Sequence, residues 1–378
     1  MEVRLIATAA FGLEAVVAWE LKKLGYTDTT VENGRVLFSA DFEAIARTNL
    51  WLRSADRILL VMGEFEAKTF DDLFEQTKAL PWSDWIPADG EFPVQGKSVK
   101  SQLHSVPDCQ AIVKKAVVEK LKERYKVSWF EETGPVYPIQ VALLKDRVTL
   151  TIDTSGVGLH KRGYREEAGQ APIKETLAAA LVQLSHWQNQ RLLLDPLCGS
   201  GTILIEAAML GDNIAPGLTR RFAAEDWPLL GKELWAQARA QASANIQDNP
   251  MQIQGSDVDG RMVKIARNNA ENAGVGDKIH FQRRALKEVR SSHKYGCVIC
   301  NPPYGERLED AAKLPKLYGE MKDVFAPWDT WSIYILTSDP DFSRHFGRKA
   351  NKKRKLYNGR IRCDYHQYIG PPPPRELR

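Results

Sequence analysis

The chain has little cysteine, no long apolar run and almost no excess of charge, and each absence narrows its chemistry. Its five cysteines, Cys109, Cys198, Cys297, Cys300 and Cys363, are odd in number and scattered over 378 residues, which argues against a disulfide framework. Cys297 and Cys300 have metal-ligand spacing, but they sit in an apolar run that reads as a strand and have no partner pair. Residues three apart on a strand point to opposite faces, so buried thiols and no metal are expected. No apolar stretch approaches a membrane span, and MEVRLIATAA lacks the basic start and long apolar centre of a secretory leader. A cytoplasmic protein with no membrane partner is expected. The net charge is only +4, with 43% hydrophobic and 26% charged residues, an ordinary globular composition long enough for two domains.

Two familiar glycine-loop motifs are missing as well. In Gly199-Ser200-Gly201 the place of a third dinucleotide-fingerprint glycine is taken by Leu204, and Gly201 is followed by Thr202 and Ile203 where a P-loop needs Lys and Ser or Thr. Gly96-Lys97-Ser98 has Glu91 at the position of the first P-loop glycine.

What is present is a different loop. Leu192 to Leu194 read as a buried strand, Asp195 closes it, and Asp195-Pro196-Leu197-Cys198-Gly199-Ser200-Gly201-Thr202 leads into a helix. A strand, a glycine turn and a helix start let backbone N–H groups and the positive helix end approach a polar ligand. About a hundred residues later, the apolar Val298-Ile299-Cys300 runs into Asn301-Pro302-Pro303-Tyr304. The prolines restrict the backbone and hold carbonyls away from any ladder. The Asn301 amide oxygen and the Pro302 carbonyl can then accept from one amino group while Tyr304 supplies a flat face, a site for a planar ring bearing an exocyclic amine.

These stretches resemble the class I S-adenosylmethionine-dependent methyltransferases that modify amino groups of bases. More closely, DPLCGSGT, GSDVDGRMVKIARNNAENAG, NPPYGERL and HKRGYREEAGQAPIKETLAAAL are similar to the THUMP-domain RNA guanine-N2 methyltransferases of bacteria, as is the stretch from Phe92-Pro93-Val94 through Lys120. The resemblance implies an α/β chain. Its C-terminal half is a class I, Rossmann-like, doubly wound sheet with an antiparallel edge hairpin, and its N-terminal half is an α+β ferredoxin-like and THUMP region. It implies S-adenosylmethionine as cofactor, large-subunit ribosomal RNA as partner rather than DNA, and guanine N2 as acceptor. The tetrapeptide itself specifies only an amino group on a planar base. Adenine N6, transfer RNA guanine and a catalytically silent RNA-binding assembly factor remain alternatives, and the oligomeric state is open.

In chain order, alternating strands and helices over residues 4–62, with a hairpin turning at Asn33-Gly34, fit a ferredoxin-like unit. A strand beginning at Phe92-Pro93-Val94 precedes a basic amphipathic helix over 109–124, with Asp108 as its expected cap. Lys97, Lys100, Ser101, Gln102, Lys114 and Lys115 form a candidate cradle for a sugar–phosphate backbone. A hairpin over 136–153 closes this region. Lys161, Arg162 and Arg165 form a basic linker expected to meet RNA, and Lys352, Lys353 and Arg354 lie in a basic run, 348–362, that contains no acid. The expected division is 1–160 for RNA binding, 161–172 as linker and 173–378 for methyl transfer.

The remaining cofactor contacts follow strand ends. Asp257 closes the second parallel strand with Val258 beside it, and a carboxylate there accepts from both ribose hydroxyls of an adenosyl group, as in dinucleotide folds. Asp259 is the runner-up. Methyltransferases often carry an Asp after the third strand for the adenine amino group. Here that position is Ala285, so backbone groups of Ala285 and Leu286 are left to read the ring edge. The loop before the helix over 173–184 places Gln170, Ala171, Pro172 and Lys174 near the methionine end, by the same resemblance. Residues 211–250 read as an insertion with an aromatic core, and Asn358-Gly359 as the turn of a final hairpin.

Overall fold

A computed structural model describes residues 2–165, 173–303 and 312–374. The first half of the chain runs β1 (Val3–Ala9), α1 (Glu14–Lys23), β2 (Thr29–Glu32), β3 (Arg35–Ala40), α2 (Glu43–Trp51), β4 (Ala55–Glu66), α3 (Phe70–Lys78), β5 (Val94–Val99), α4 (Val106–Tyr125), β6 (Ile139–Leu144) and β7 (Arg147–Asp153). There follow α5 (Glu175–Gln183), β8 (Leu193–Asp195), α6 (Thr202–Gly211), α7 (Gly231–Ala244), β9 (Ile253–Asp257), α8 (Gly260–Asn272), β10 (Ile279–Arg283), β11 (Cys297–Cys300), α9 (Leu314–Phe325), β12 (Ser332–Thr337), α10 (Phe342–His345), β13 (Lys352–Asn358) and β14 (Ile361–Tyr368).

The chain divides into two compact units. The first comprises Met1–Ala9, Ala18–Leu159 and Arg220–Gln241, and the second the rest. In the first, β1 to β4 form the antiparallel order β2-β3-β1-β4 of a ferredoxin-like unit, and the same sheet continues through β7, β6 and β5. The β5 and β6 strands pair in parallel across the α4 crossover. Cys109, Val113, Ala116, Val117 and Leu121 are buried at helical spacing on α4. That helix begins at Val106 with Pro107 in its first turn, so Asp108 lies inside the first turn instead of capping it.

The insertion belongs to this first unit. Trp227 is buried, stacks on Tyr137 with ring centroids 4.6 Å apart, and donates its Nε1–H to the Val136 carbonyl at 2.9 Å. Ala224 N–H reaches Thr154 O at 3.0 Å and Arg220 Nη1 reaches Gly158 O at 2.8 Å.

In the second unit the sheet order is β10-β9-β8-β11-β12-β14-β13. The first five are parallel, β14 pairs antiparallel with β12, and β13 pairs antiparallel with β14. Strands β8, β11 and β12 are buried at every position, as expected where helices cover both faces of a parallel sheet. The hairpin register pairs Asn358 with Ile361, so its turn is Gly359-Arg360, one residue later than expected. Gly359 takes the positive φ of 62° that this turn needs.

Candidate cofactor and base site

The strand order reverses between β8 and β11, and in open α/β sheets ligands bind outside the carboxyl ends at that switch point. Four pieces of the expected site lie at those ends. The glycine loop follows β8, Asp257 is the last residue of β9, Ala285 and Leu286 follow β10, and Asn301-Pro302-Pro303 follow β11 directly.

The loop is held by β9 and α8. Cys198 N–H donates to Ser256 O on β9 at 2.9 Å, Gly199 N–H to Asp257 Oδ2 at 3.1 Å, and Asn269 Nδ2 on α8 to Ser200 O at 3.1 Å. Ser200 and Thr202 hydroxyls share a hydrogen bond of 3.2 Å. Gly199 and Gly201 have φ of 52° and 80° for different purposes. A Cβ on Gly201 would meet the Phe281 ring at 2.9 Å and Ala266 Cβ at 3.1 Å, whereas one on Gly199 would meet nothing within 4 Å. Gly201 lets the loop settle on the core, and Gly199 keeps its outer side open to a ligand. Asn269 was not recognised in the sequence; its signal is a polar residue on the buried stripe of Val263, Ala266 and Ala270.

Two carboxylates face this loop in unequal settings. Asp195 is 2% exposed and accepts from Leu197 N–H at 3.1 Å. Burial pushes its carboxyl up to about 8, the Leu197 N–H opposes the shift, and the negative Asp257 adds to it. A cationic ligand would relieve that cost. Asp257 is half-buried and accepts from Gly199 and Asp259 N–H groups through separate oxygens, leaving lone pairs for hydroxyl donors. Asp259 is the N-cap of α8 and pairs with Arg261 at 2.9 Å, so it has a structural task of its own. Pro196 is buried beneath the loop and Val258 is exposed at the rim, 64% accessible. Burial raises the Cys198 thiol well above its ordinary range, and the negative Asp195 and Asp257 add to this, so Cys198 serves as a packed, neutral side chain.

Asn301 is half-buried, Pro302 buried and Pro303 exposed, so the turn leaves the sheet immediately after Cys300. Tyr304, Gln170, Ala171 and Pro172 lie outside the described residues. Lys174 is half-buried and occupies the N-cap position of α5. Ala285 begins a single turn, donating its N–H to Glu288 Oε2 at 3.2 Å, and Leu286 is buried. The open space at Gly199, the buried Asp195 and the Asp257 rim together fit an adenosyl sulfonium ligand.

Three of the expected RNA contacts require correction. Arg162 is buried and its guanidinium faces Glu206 at 3.4 Å, with side chains 2% and 0% exposed. Arg165 pairs with the buried Glu175 at 2.8 Å and donates to Ile173 O at 3.0 Å. Lys114 donates to Glu132 at 2.7 Å and to Phe92 O at 3.0 Å, and its ammonium lies 3.6 Å from the Phe92 ring centroid. A cation closed onto a carboxylate in this way holds the fold and has little left for a phosphate. Lys97, Lys100, Gln102, Lys115, Lys161 and Lys352 are exposed, Lys353 is exposed and paired with Asp364 at 3.1 Å, and Arg354 is half-buried. Ser101 and Gln102 fold back on Asp146, whose N–H reaches Ser101 Oγ at 3.0 Å while Gln102 N–H reaches its carboxylate at 2.7 Å.

A family model described as RMKL-like, methyltransferase domain, matches residues 162–367, more than half of the chain. The chain belongs to the RMKL-like methyltransferase family. An RlmL ferredoxin-like domain matches residues 4–59 and a THUMP domain residues 67–153, in keeping with the strand orders above. Among curated proteins, "Putative RNA methyltransferase YpsC" of Bacillus subtilis (strain 168) is 56% identical over 367 residues, covering 96% of this chain and 95% of that protein. The "Ribosomal RNA large subunit methyltransferase K/L" of Syntrophotalea carbinolica is 33% identical over 96% of this chain, which spans 53% of that longer protein. Among solved structures, one described as a predicted N6-adenine-specific DNA methylase from Listeria monocytogenes superposes with a TM-score of 0.94 at 54% identity, over 98% and 97% of the two chains. SMU.472, "a putative methyltransferase complexed with SAH", gives 0.94 at 49% identity over 99% of each. This family member therefore shares its fold with a relative solved in complex with SAH, while the names of its relatives differ on the nucleic acid.

Proposed function

We propose that the protein is an S-adenosylmethionine-dependent RNA methyltransferase acting on the N2 amino group of a guanine in large-subunit ribosomal RNA. The observation that carries the reading is the meeting of the glycine loop, Asp195, Asp257 and Asn301-Pro302 at the carboxyl edge of one switch point. The THUMP match and the RNA methyltransferase names of YpsC and the K/L proteins support RNA as substrate. The K/L names leave the acceptor atom open.

When bound, S-adenosylmethionine supplies an electrophilic methyl on a sulfonium. The chain's part is positioning, since a one-step displacement needs in-line geometry more than proton transfer. Gly199 and the α6 N-terminus receive the polar end, Asp257 accepts from ribose hydroxyls, and Asp195 offers negative charge to the cation. The Asn301 amide oxygen and Pro302 carbonyl accept both N–H groups of the target amine and aim its lone pair at the methyl, with Tyr304 stacking on the base. The target must be unpaired or flipped, because this nitrogen cannot reach the methyl inside a duplex.

The test is transfer of labelled methyl from S-adenosylmethionine to unmodified ribosomal RNA, transfer RNA and duplex DNA, with the product nucleoside identified by mass spectrometry. N2-methylguanosine in ribosomal RNA is expected. N6-methyladenine in DNA would instead favour the activity named for the Listeria relative. Asn301→Ala should bind the cofactor nearly as well and turn over about a hundredfold more slowly; wild-type turnover in that variant would remove Asn301 from the reaction.

A further inference from the structure

The basic strand β13 carries an aromatic feature that the cofactor site does not use. Phe11, in the stretch Ala10–Val17 that belongs to the second unit, is 56% exposed, yet it is held in place. Its ring meets the half-buried Tyr357 ring edge-on, with centroids 6.2 Å apart and planes at 63°. The next residue, Gly12, has φ of 92°, and a Cβ there would lie 2.5 Å from the Lys355 carbonyl oxygen on β13. Only glycine allows this approach, and the approach fixes Phe11 against Tyr357.

Charge surrounds the ring pair. Lys353, Lys355 and Tyr357 alternate onto one face of β13, and Arg362 is directly opposite Tyr357 on β14. Lys355 Nζ lies 5.5 Å from the Tyr357 ring centroid, and both Lys355 and Arg362 are exposed. Asp364 engages Lys353, and among the described residues no ion pair holds Lys355 or Arg362, whose charges lie beside the rings.

Register places this group on the reactive edge of the sheet. Thr337, the last residue of β12, pairs with Asp364, which pairs with Lys355. Tyr357 and Arg362 therefore lie past the carboxyl end of β12, the same edge on which Asn301 leaves β11. Three strand spacings separate β11 from β13, about 14 Å, or about four stacked nucleotides at roughly 3.4 Å each.

We propose that Phe11 and Tyr357 form a stacking platform for an unpaired base of the RNA substrate a few nucleotides from the methylated one, with Lys355 and Arg362 on its phosphates. Exposed aromatics beside cations bind single strands by stacking and by backbone neutralisation. The platform rests on the reading of the protein as an RNA methyltransferase and identifies a surface that selects a single-stranded flank.

The test uses the full chain and a fluorescent, mixed-sequence single-stranded RNA of about twelve nucleotides, with the same sequence as a duplex for comparison. Phe11→Ala should weaken single-strand binding about fivefold or more, change duplex binding little and leave S-adenosylmethionine affinity by calorimetry unchanged. Phe11→Trp should retain wild-type binding, and Lys355→Gln should flatten the salt dependence. Equal binding by wild type, Phe11→Ala and Phe11→Trp overturns the platform while leaving the methyltransferase reading intact. A wild type that binds no single-stranded RNA but methylates duplex substrate also overturns it, and a wild type that neither binds nor methylates RNA overturns both.

Discussion

Arg162 and Glu206 face each other at 3.4 Å with their side chains almost wholly buried, and the Tyr164 hydroxyl donates to the same carboxylate at 3.1 Å. Glu206 lies on α6, the helix that the glycine loop opens. The pair ties the segment after His160 to the helix that carries the cofactor loop, and Asn272 Nδ2 on α8 adds a hydrogen bond to Tyr164 O at 3.3 Å.

Removing one member of a buried ion pair leaves the other's charge uncompensated by its counter-ion, at a cost of about 3–5 kcal/mol. Glu206→Ala should show such a loss in urea denaturation, and Glu206→Gln a smaller one because it still accepts from Tyr164. Arg162→Gln should be destabilised too, yet keep the wild-type salt slope for RNA. The double change Lys97→Gln with Lys100→Gln should do the opposite, keeping stability and flattening that slope by about 1 to 2. A flattened slope in Arg162→Gln would return that residue to the RNA surface.

Asp257 and Asp259 are two residues apart and differ in task. Asp257→Ala should weaken S-adenosylmethionine binding by about 1–3 kcal/mol through lost charge-assisted hydrogen bonds. Asp259→Ala removes the N-cap of α8 and should lower thermal stability slightly with cofactor affinity preserved. Calorimetry on both variants decides between them, and loss of affinity at Asp259 alone would transfer the ribose role.

Much of this site was legible because its parts are local. A strand, glycines and a helix start are contiguous from Leu193 to Gly211, and Asn33-Gly34 announces its own turn. The pairing of charges was not legible. Lys114, Arg162 and Arg165 read as solvent cations, because their partners Glu132, Glu206 and Glu175 are assigned only by the fold. The final hairpin slipped by one residue since Asn358 and Gly359 both suit a turn, and strand register chose Gly359-Arg360. Asn269 lies on the buried stripe of α8, which marks it as buried but does not say which distant carbonyl it serves, and so it was missed.

The pH dependence of cofactor binding follows from Asp195. Its carboxyl sits at about 8 in the ligand-free chain, above the value of an unfolded Asp. Its contribution to ligand-free stability is therefore fully present below the unfolded value and is lost as pH rises through about 8. A bound cation lowers this carboxyl's pKa, so binding releases a proton and affinity should rise with pH until about 8, then level. Calorimetry in buffers of differing ionisation enthalpy reads the proton directly. Asp195→Asn should abolish that release and flatten the pH profile; an unchanged release would show that Asp195 does not sense the ligand.

The insertion sets the last prediction. A chain beginning near His160 retains the parallel sheet, its switch point and the Arg162–Glu206 pair, but it also retains the segment Arg220–Gln241, whose packing partners belong to the first unit. Trp227 would lose its stacking on Tyr137 and its hydrogen bond to Val136 O. Exposing a tryptophan of that size costs about 4–6 kcal/mol and leaves an apolar patch open to association. Such a chain should aggregate on size-exclusion chromatography. The same chain with 220–241 replaced by a short glycine–serine linker should be monomeric, bind S-adenosylmethionine, and methylate long RNA poorly for want of Phe11 and of the phosphate contacts of the first unit. If the unaltered short chain is monomeric and binds cofactor as the full chain does, Trp227 does not depend on the first unit for its burial. If the linker variant methylates long RNA at the full chain's rate and salt dependence, the first unit is not the substrate-binding module.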